Sequence, residues 1–456
     1  MPSDRRALIL EGPVGTALLR LGAPIMLGNL LQTGYQLTDA FWVGRLGAAA
    51  VAAVAISFPV TFLVIALGAG LAMAGATLSA QYAGAGRQDM VDHVAAQTML
   101  MVAVSSLLLG GIGFALAPGL LRLIGVAPDV HDGALGFMRV SFIGIGFVFL
   151  YAMYQALMRG IGHTSAPLLI VLGTVLLNFI LDPLFIFGWG PLPGLGVMGA
   201  ALATLVTQGL AAALGIALLL RGRHGITLRW RDLKPDAAYL RRAFMLGLPG
   251  SIELAVRGVG PIALSALAVG YGTLTGAAYG IGTTILQFVT IPAMGLSMAV
   301  GPLVGQNIGA GQPERATRAA TLAAAWGFAV LTAVGLLAWG FAAPLVGFFV
   351  PGDPAVIERG AQFLRIMAPA WGAIGVQLCI VQAFRASGRM LRAMLIALIS
   401  QILVQFPLAY ALSRFTDLGE AGLWWSFPVS QAATALVCIA WFARAGGARR
   451  LTEGPA

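Results

Sequence analysis

GLAMAGATLSAQYAGAG occupies residues 70–86, and GLSMAVGPLVGQNIGAG occupies residues 295–311. The stretches lie 225 residues apart and agree at nine of seventeen positions. Chance agreement in so Ala- and Gly-rich a chain would be roughly one or two. The same shift lays LGAP (21–24) on LGLP (246–249). With small gaps, Gln155-Ala156 also meets Gln382-Ala383, and LGVMG (195–199) meets LGEAG (418–422). The chain is therefore a tandem repeat, and its fold is decided by what one repeat forms.

Composition answers that. Of 456 residues, 59% are hydrophobic and only 10% are charged, against about 25% charged in ordinary soluble domains. So few charges cannot keep a surface of this size wet, which excludes a water-soluble protein and requires the bilayer to cover much of it. At about 20 apolar residues per spanning helix, the chain has room for roughly twelve helices and no large extramembrane domain. Apolar stretches bounded by Gly, Pro and charge place them at 17–42, 49–74, 91–117, 134–157, 166–188 and 196–220. The second set falls at 241–268, 276–303, 317–348, 360–384, 391–413 and 421–443.

Six spans per repeat is an even number, so both copies cross the membrane in the same sense, related by an axis along its normal. The expected fold is an all-α membrane protein. Its twelve transmembrane helices would form two pseudo-symmetric six-helix bundles, arranged as parallel repeats around a central cleft. Residues 1–220 would be the first lobe, and 243–456 the second. Between them RGRHGITLRWRDLKPDAAYLRR (221–242) carries seven basic residues and reads as a cytoplasmic linker.

Placing the N-terminus inside puts nineteen of the 27 basic residues on the cytoplasmic side, among them Arg5, Arg6, Arg87, Arg159 and the linker. That bias orients the protein with both termini cytoplasmic. The +10 net charge is spread over short loops without interleaved aromatics, so it marks topology and not a nucleic-acid surface. Cys379 and Cys438 lie in apolar runs, and the four histidines flank polar connections with no HExxH spacing, so neither a disulfide framework nor a metalloenzyme is indicated.

Three acids stand inside spans: Asp39, Asp182 and Glu253. An intramembrane carboxylate costs about 2.5–3.5 kcal/mol on insertion scales and needs a partner, a proton or a cavity. Gln32, Tyr35 and Gln36 precede Asp39 by seven, four and three residues, so they share its helix face. Thr174, Asn178 and Asp182 recur every four residues in the fifth span. Pro183 follows directly, disfavours helix at Asp182 and leaves a carbonyl near Phe179 free. Two carboxylates, an amide oxygen and a carbonyl suit a sodium ion, and two close carboxylates equally suit one shared proton. Glu253 precedes Arg257 by one turn, so an intrahelical ion pair is the competing reading. Tyr279, Thr283, Gln287 and Thr290 align on the eighth span and are placed to line a cleft or to bind neighbouring helices. The 225-residue shift sets Leu264 opposite Asp39, and with a one-residue gap that aligns Pro183 on Pro407, Phe406 falls opposite Asp182. Ion coupling is thus expected in the first lobe alone.

GAPIMLGNLLQTGYQLTDAFWVGRLG (22–47), the QYAGAG and QNIGAG repeats, NFILDP (178–183) and GAALAT (199–204) resemble the multidrug and toxic compound extrusion (MATE) family, in its DinF-like and archaeal branch. The QYAGAG and QNIGAG copies would open the loops after spans two and eight. The resemblance implies a monomeric exporter of drugs or organic cations in a bacterial-type inner membrane, without a cofactor, driven by protons or sodium. It carries the ion site onto Asp39, Asn178, Asp182 and Thr204, and a bendable first helix onto Pro24. Gln32 and Tyr35 match positions near its drug cavity, with Gln36, Glu253, Tyr279 and Gln287 as further cavity candidates. Two other functions are weaker. A flippase of lipid-linked precursors needs basic residues in the cleft, where only Arg257 and Arg365 qualify. A membrane-embedded transferase needs a DDxxD-like metal cluster or a Ser/His/Asp arrangement, and the chain has neither.

Overall fold

The computed structural model describes residues 3–444. Twelve helices are long and apolar enough to cross a membrane: α1 Val14–Gly44, α2 Ala48–Gly84, α3 Gln88–Ile124, α4 Pro128–Gly160, α5 Ser165–Phe187, α6 Val197–Leu220, α7 Ala237–Val269, α8 Thr273–Gly309, α9 Pro313–Gly340, α10 Pro354–Ala386, α11 Met390–Arg414 and α12 Glu420–Arg444. Helices meet the requirement that every backbone group in hydrocarbon be paired within its own segment. Several helices outrun the hydrocarbon: α2 and α8 have 37 residues each. Their last turns are QYAG and QNIG, so these motifs end helices instead of opening loops as expected. Short helices cover Ser3–Leu10 and Ala342–Phe349. The ninth span thus stops at Gly340, short of the expected 348.

The chain divides into two compact units, one of residues 3–7 and 27–255, the other of 8–26 and 256–444. Both contain six helix bodies, but they differ from the expected lobes in two stretches. The first part of α1 counts with the second repeat, and the linker and first part of α7 count with the first repeat. Buried apolar faces account for this. Ile9, Val14, Ala17, Leu18 and Leu21 share a core with Leu296, Ala299, Val300 and Leu303 of α8. Tyr239 and Ala243 of α7 belong to the core that holds Leu71, Val91 and Val94 of α2 and α3.

The shared glycines of the repeat are the seats for these exchanged helices. A Cβ on Gly70 would lie 2.3 Å from the Ser251 nitrogen and 2.7 Å from the Gly247 carbonyl oxygen of α7. One on Gly295 would lie 2.0 Å from Met26 Cγ and 2.9 Å from Met26 Cα of α1. Positions 22 and 247, 26 and 251, and 70 and 295 are each related by the repeat shift. One crossing is therefore built twice, and it needs Gly because backbone meets backbone or side-chain root. Ser251 secures the first crossing by donating to the Leu67 carbonyl at 2.6 Å.

Polar side chains fasten what leads into each crossing. Gln97, fully buried, donates to the carbonyls of Asp232 (2.7 Å) and Lys234 (2.6 Å) and accepts from the Asp236 amide (3.0 Å). Asp92 accepts from the Thr227 amide at 2.9 Å and from Gln88 at 3.1 Å. The basic linker is thus laid along the polar start of α3. In the other unit, Asn307 of QNIG and Arg315 both donate to the Ile9 carbonyl at 3.2 Å, and Arg315 also reaches the Gly12 carbonyl.

Gly70→Val and Gly295→Val should each destabilise the protein by about 1–3 kcal/mol, read as a lowered midpoint of thermal unfolding in detergent. Gly111→Ala, which meets nothing within 4 Å, should leave the midpoint unchanged or raised.

Candidate functional site

The two acids that the repeat shift leaves without counterparts are brought together by three helices of the first unit. Asp39 lies on α1, Asn178 and Asp182 on α5, and Thr204 on α6. The start of α6 is pressed onto the end of α5, because a Cβ at Gly199 would lie 2.3 Å from the Phe185 carbonyl oxygen. This close approach sets Thr204 and Thr207, one and two turns further on, against α1. There the Tyr35 hydroxyl lies 3.0 Å from Thr204 Oγ1, to which it donates, and 3.2 Å from Thr207 Oγ1.

Asn178 and Asp182 are both 0% exposed. Asn178 Nδ2 donates to Asp182 Oδ1 at 3.0 Å, which uses one oxygen of one carboxyl group. Asp39, half-buried, lies close enough to Asp182 and Asn178 for their charges and dipoles to act on it. Three buried oxygens then have no protein donor: Asp39 Oδ1, Asp182 Oδ2 and Asn178 Oδ1. Leaving such groups unmatched away from water is costly. A proton shared between the carboxyl groups matches them, and so does a hard cation held by oxygen. One turn beyond Asp39, Trp42 packs edge-on to Phe179 and Phe187, with ring centroids 6.4 Å and 6.0 Å away, and shields one end of the cluster with hydrocarbon.

Some local expectations change. α5 runs through Pro183 to Phe187, so Asp182 is helical and the helix is not broken there. An interrupted helix would expose several unpaired backbone groups to hydrocarbon, a larger penalty than one proline imposes. Thr174 is buried, but its hydroxyl donates to the Ile170 and Val171 carbonyls of its own helix. Pro24 likewise lies inside a continuous α1, two residues before the chain passes from one unit to the other.

The cavity candidates scatter. Gln32 is half-buried, and Gln36 and Gln287 are exposed. Glu253 is fully buried in α7. Tyr279 is occupied by packing: it is buried among Phe363 and Phe427, and its hydroxyl donates to the Pro261 carbonyl at 3.2 Å. Thr207 is the site residue that the sequence reading passed over. Its three-residue spacing from Thr204 put it on the same helix face, one turn along. Among the described residues, no group of three or more His, Cys, Asp or Glu is arranged to hold a metal ion.

Twelve apolar spans from a tandem repeat, with paired acids sunk between helices of one unit, define a membrane transport protein. The family model MatE matches residues 24–184 and 249–411, two segments that begin 225 residues apart, and the chain belongs to that family. It is a family of transporters, not of enzymes. The chain is 28% identical over 439 residues to an FAD transporter of Shewanella oneidensis, covering 95% of each. It is 29% identical over 425 residues to a probable multidrug resistance protein of Bacillus subtilis, covering 92% of this chain and 91% of that one. A solved MATE structure described as in the bent conformation shares the fold with a TM-score of 0.90 at 24% identity, over 98% of this chain and 99% of that one.

Tyr35→Phe removes both hydroxyl contacts and should cost about 1 kcal/mol in stability, measured by thermal unfolding. Thr207→Val leaves Tyr35 its bond to Thr204 and otherwise removes only bonds of Thr207 to carbonyls of its own helix, and should cost less.

Proposed function

We propose that the chain is a cation-coupled exporter of amphipathic, often cationic, small molecules, acting as a monomer in a bacterial inner membrane with both termini cytoplasmic. The observation that carries this reading is the trio of unmatched oxygens on Asp39, Asp182 and Asn178, which a site built only for packing would not retain. The names of the relatives support the substrate side, since several are described as multidrug resistance or export proteins. Asp39, Asn178 and Asp182 would take the coupling proton or sodium ion, with Thr204 and Tyr35 holding α1 against α6 beside them.

Loading the site with one cation cancels one of two like charges, so the repulsion between Asp39 and Asp182 is lost and the portion of α1 bearing Asp39 can close on α5. Pro24 is the joint for this movement. It has no N–H, so the Arg20 carbonyl lacks its helical partner there. The stretch of α1 before the joint is seated on the α8 core, while the stretch after it carries Tyr35 and Asp39. Movement of the second stretch would close the first-lobe cavity near Gln32 and expel its contents. The Shewanella relative makes a flavin dinucleotide the second substrate class to assay.

The test is dye export in inverted vesicles, with a pH gradient and a sodium gradient imposed separately. Export should follow at least one gradient, and Asp39→Asn and Asp182→Asn should each lower it at least about tenfold, the weight of one lost coupling interaction. Full export by both variants would refute the coupling role.

A further inference from the structure

Away from the acid site, the face of the first unit that carries the N-terminal helix holds a second polar cluster, of opposite character. His163 follows α4 in the turn before α5, and His224 lies in the linker. Their rings meet edge to face, with centroids 4.3 Å apart and planes at 88°. His163 is only 8% exposed. Both Nδ1 atoms are buried and have no hydrogen-bond partner in the protein. Neighbouring groups are cationic: Arg5 of the N-terminal helix acts on both imidazoles, and Arg223 acts on His224. Burial first, and then these charges, push His163 down to about 4 and lower His224 as well. None of the ion pairs formed by the described residues supplies an acid to this cluster.

Two buried ring nitrogens without partners and two guanidinium groups without counter-charge share one deficit, an oxyanion. A metal cation would satisfy the nitrogens but not the arginines, which repel it. A tetrahedral phosphate supplies acceptors to N–H groups from several directions, and Arg matches its oxygens in bidentate fashion.

We propose that His163, His224, Arg5 and Arg223 form a phosphate-binding site on this face, taking either a free phosphate group or the phosphodiester of an anionic lipid headgroup. Three separate chain segments converge on it, so an occupant ties the N-terminal helix and the linker to the end of α4. The site is independent of Asp39 and Asp182, and its test does not depend on transport.

The full-length protein would be titrated in zwitterionic-lipid nanodiscs with inorganic phosphate by calorimetry. In parallel, phosphatidylglycerol would be compared with phosphatidylcholine by native mass spectrometry. His224→Asn and Arg223→Gln, both at partly exposed or exposed linker positions, are the main variants, and His163→Asn is the third. Saturable phosphate binding that weakens roughly tenfold in each variant, the loss of one charge-assisted contact, supports the site with a free anion. Selective retention of phosphatidylglycerol, lost in the same variants, supports it with lipid as the source. Folded wild-type protein that binds neither ligand better than its variants overturns the proposal.

Discussion

A carboxylate in hydrocarbon cannot remain charged and unmatched, and the first unit is arranged around that constraint. Asn178 satisfies one oxygen of Asp182 and the protein supplies nothing further to Asp39 Oδ1 or Asp182 Oδ2. In the proposed reading, those oxygens are where a small positively charged species would be held. Coupling through such a site would make packing depend on occupancy, because two carboxylates on neighbouring helices repel one another when both are charged and lose that repulsion when a cation or proton is shared between them. The surrounding contacts are of the fixed kind, with Tyr35 held between two threonines and Gly199 set on the Phe185 carbonyl. A rigid frame around one variable charge is what conversion of ion binding into helix movement requires.

That conversion needs a helix that answers to two partners, and α1 is such a helix. Its beginning packs with α8, while Tyr35 and Asp39 pack with α5 and α6. The transition falls next to Pro24, where the backbone has lost a hydrogen bond. α7 is divided in the same way, seated at Gly70 through Gly247 and Ser251, but it leads to no acid pair. The geometry of the repeat is kept in both halves, and the chemistry is placed in one.

Much of this was legible from residues alone. The repeat and the excess of apolar side chains sufficed for twelve spans, since spanning helices depend on local composition. Asp39, Asn178 and Asp182 could be grouped because polar residues in apolar helices stand out against their background, whereas Thr204 of GAALAT joined them only through the family resemblance. What failed to show was any feature set by tertiary partners. Gln97 holds three linker backbone groups, and no residue near it in the sequence marks that role. Tyr279 shared a polar stripe with Thr283 and Gln287, yet it is enclosed by aromatic rings. The linker read as a cytoplasmic connection because its charges signal solvent, while its attachment to α3 rests on backbone carbonyls and amides that carry no side-chain signature. The lobe boundaries differ for the same reason: covalent order assigns α1 to the first repeat, but buried area assigns its first part to the second.

The exchange of first helices has a consequence for the history of the gene. A lone copy of the repeat would carry the seat at its equivalent of Gly70 and a first helix whose beginning fits only the seat of another copy. Such a chain could complete its core only as a pair, each member lending its leading helix to the other. In a single polypeptide that exchange is intramolecular, and the linker fixed to α3 is the seam. Halves joined in one chain need not be identical, and here one of them carries an acid pair that the other lacks.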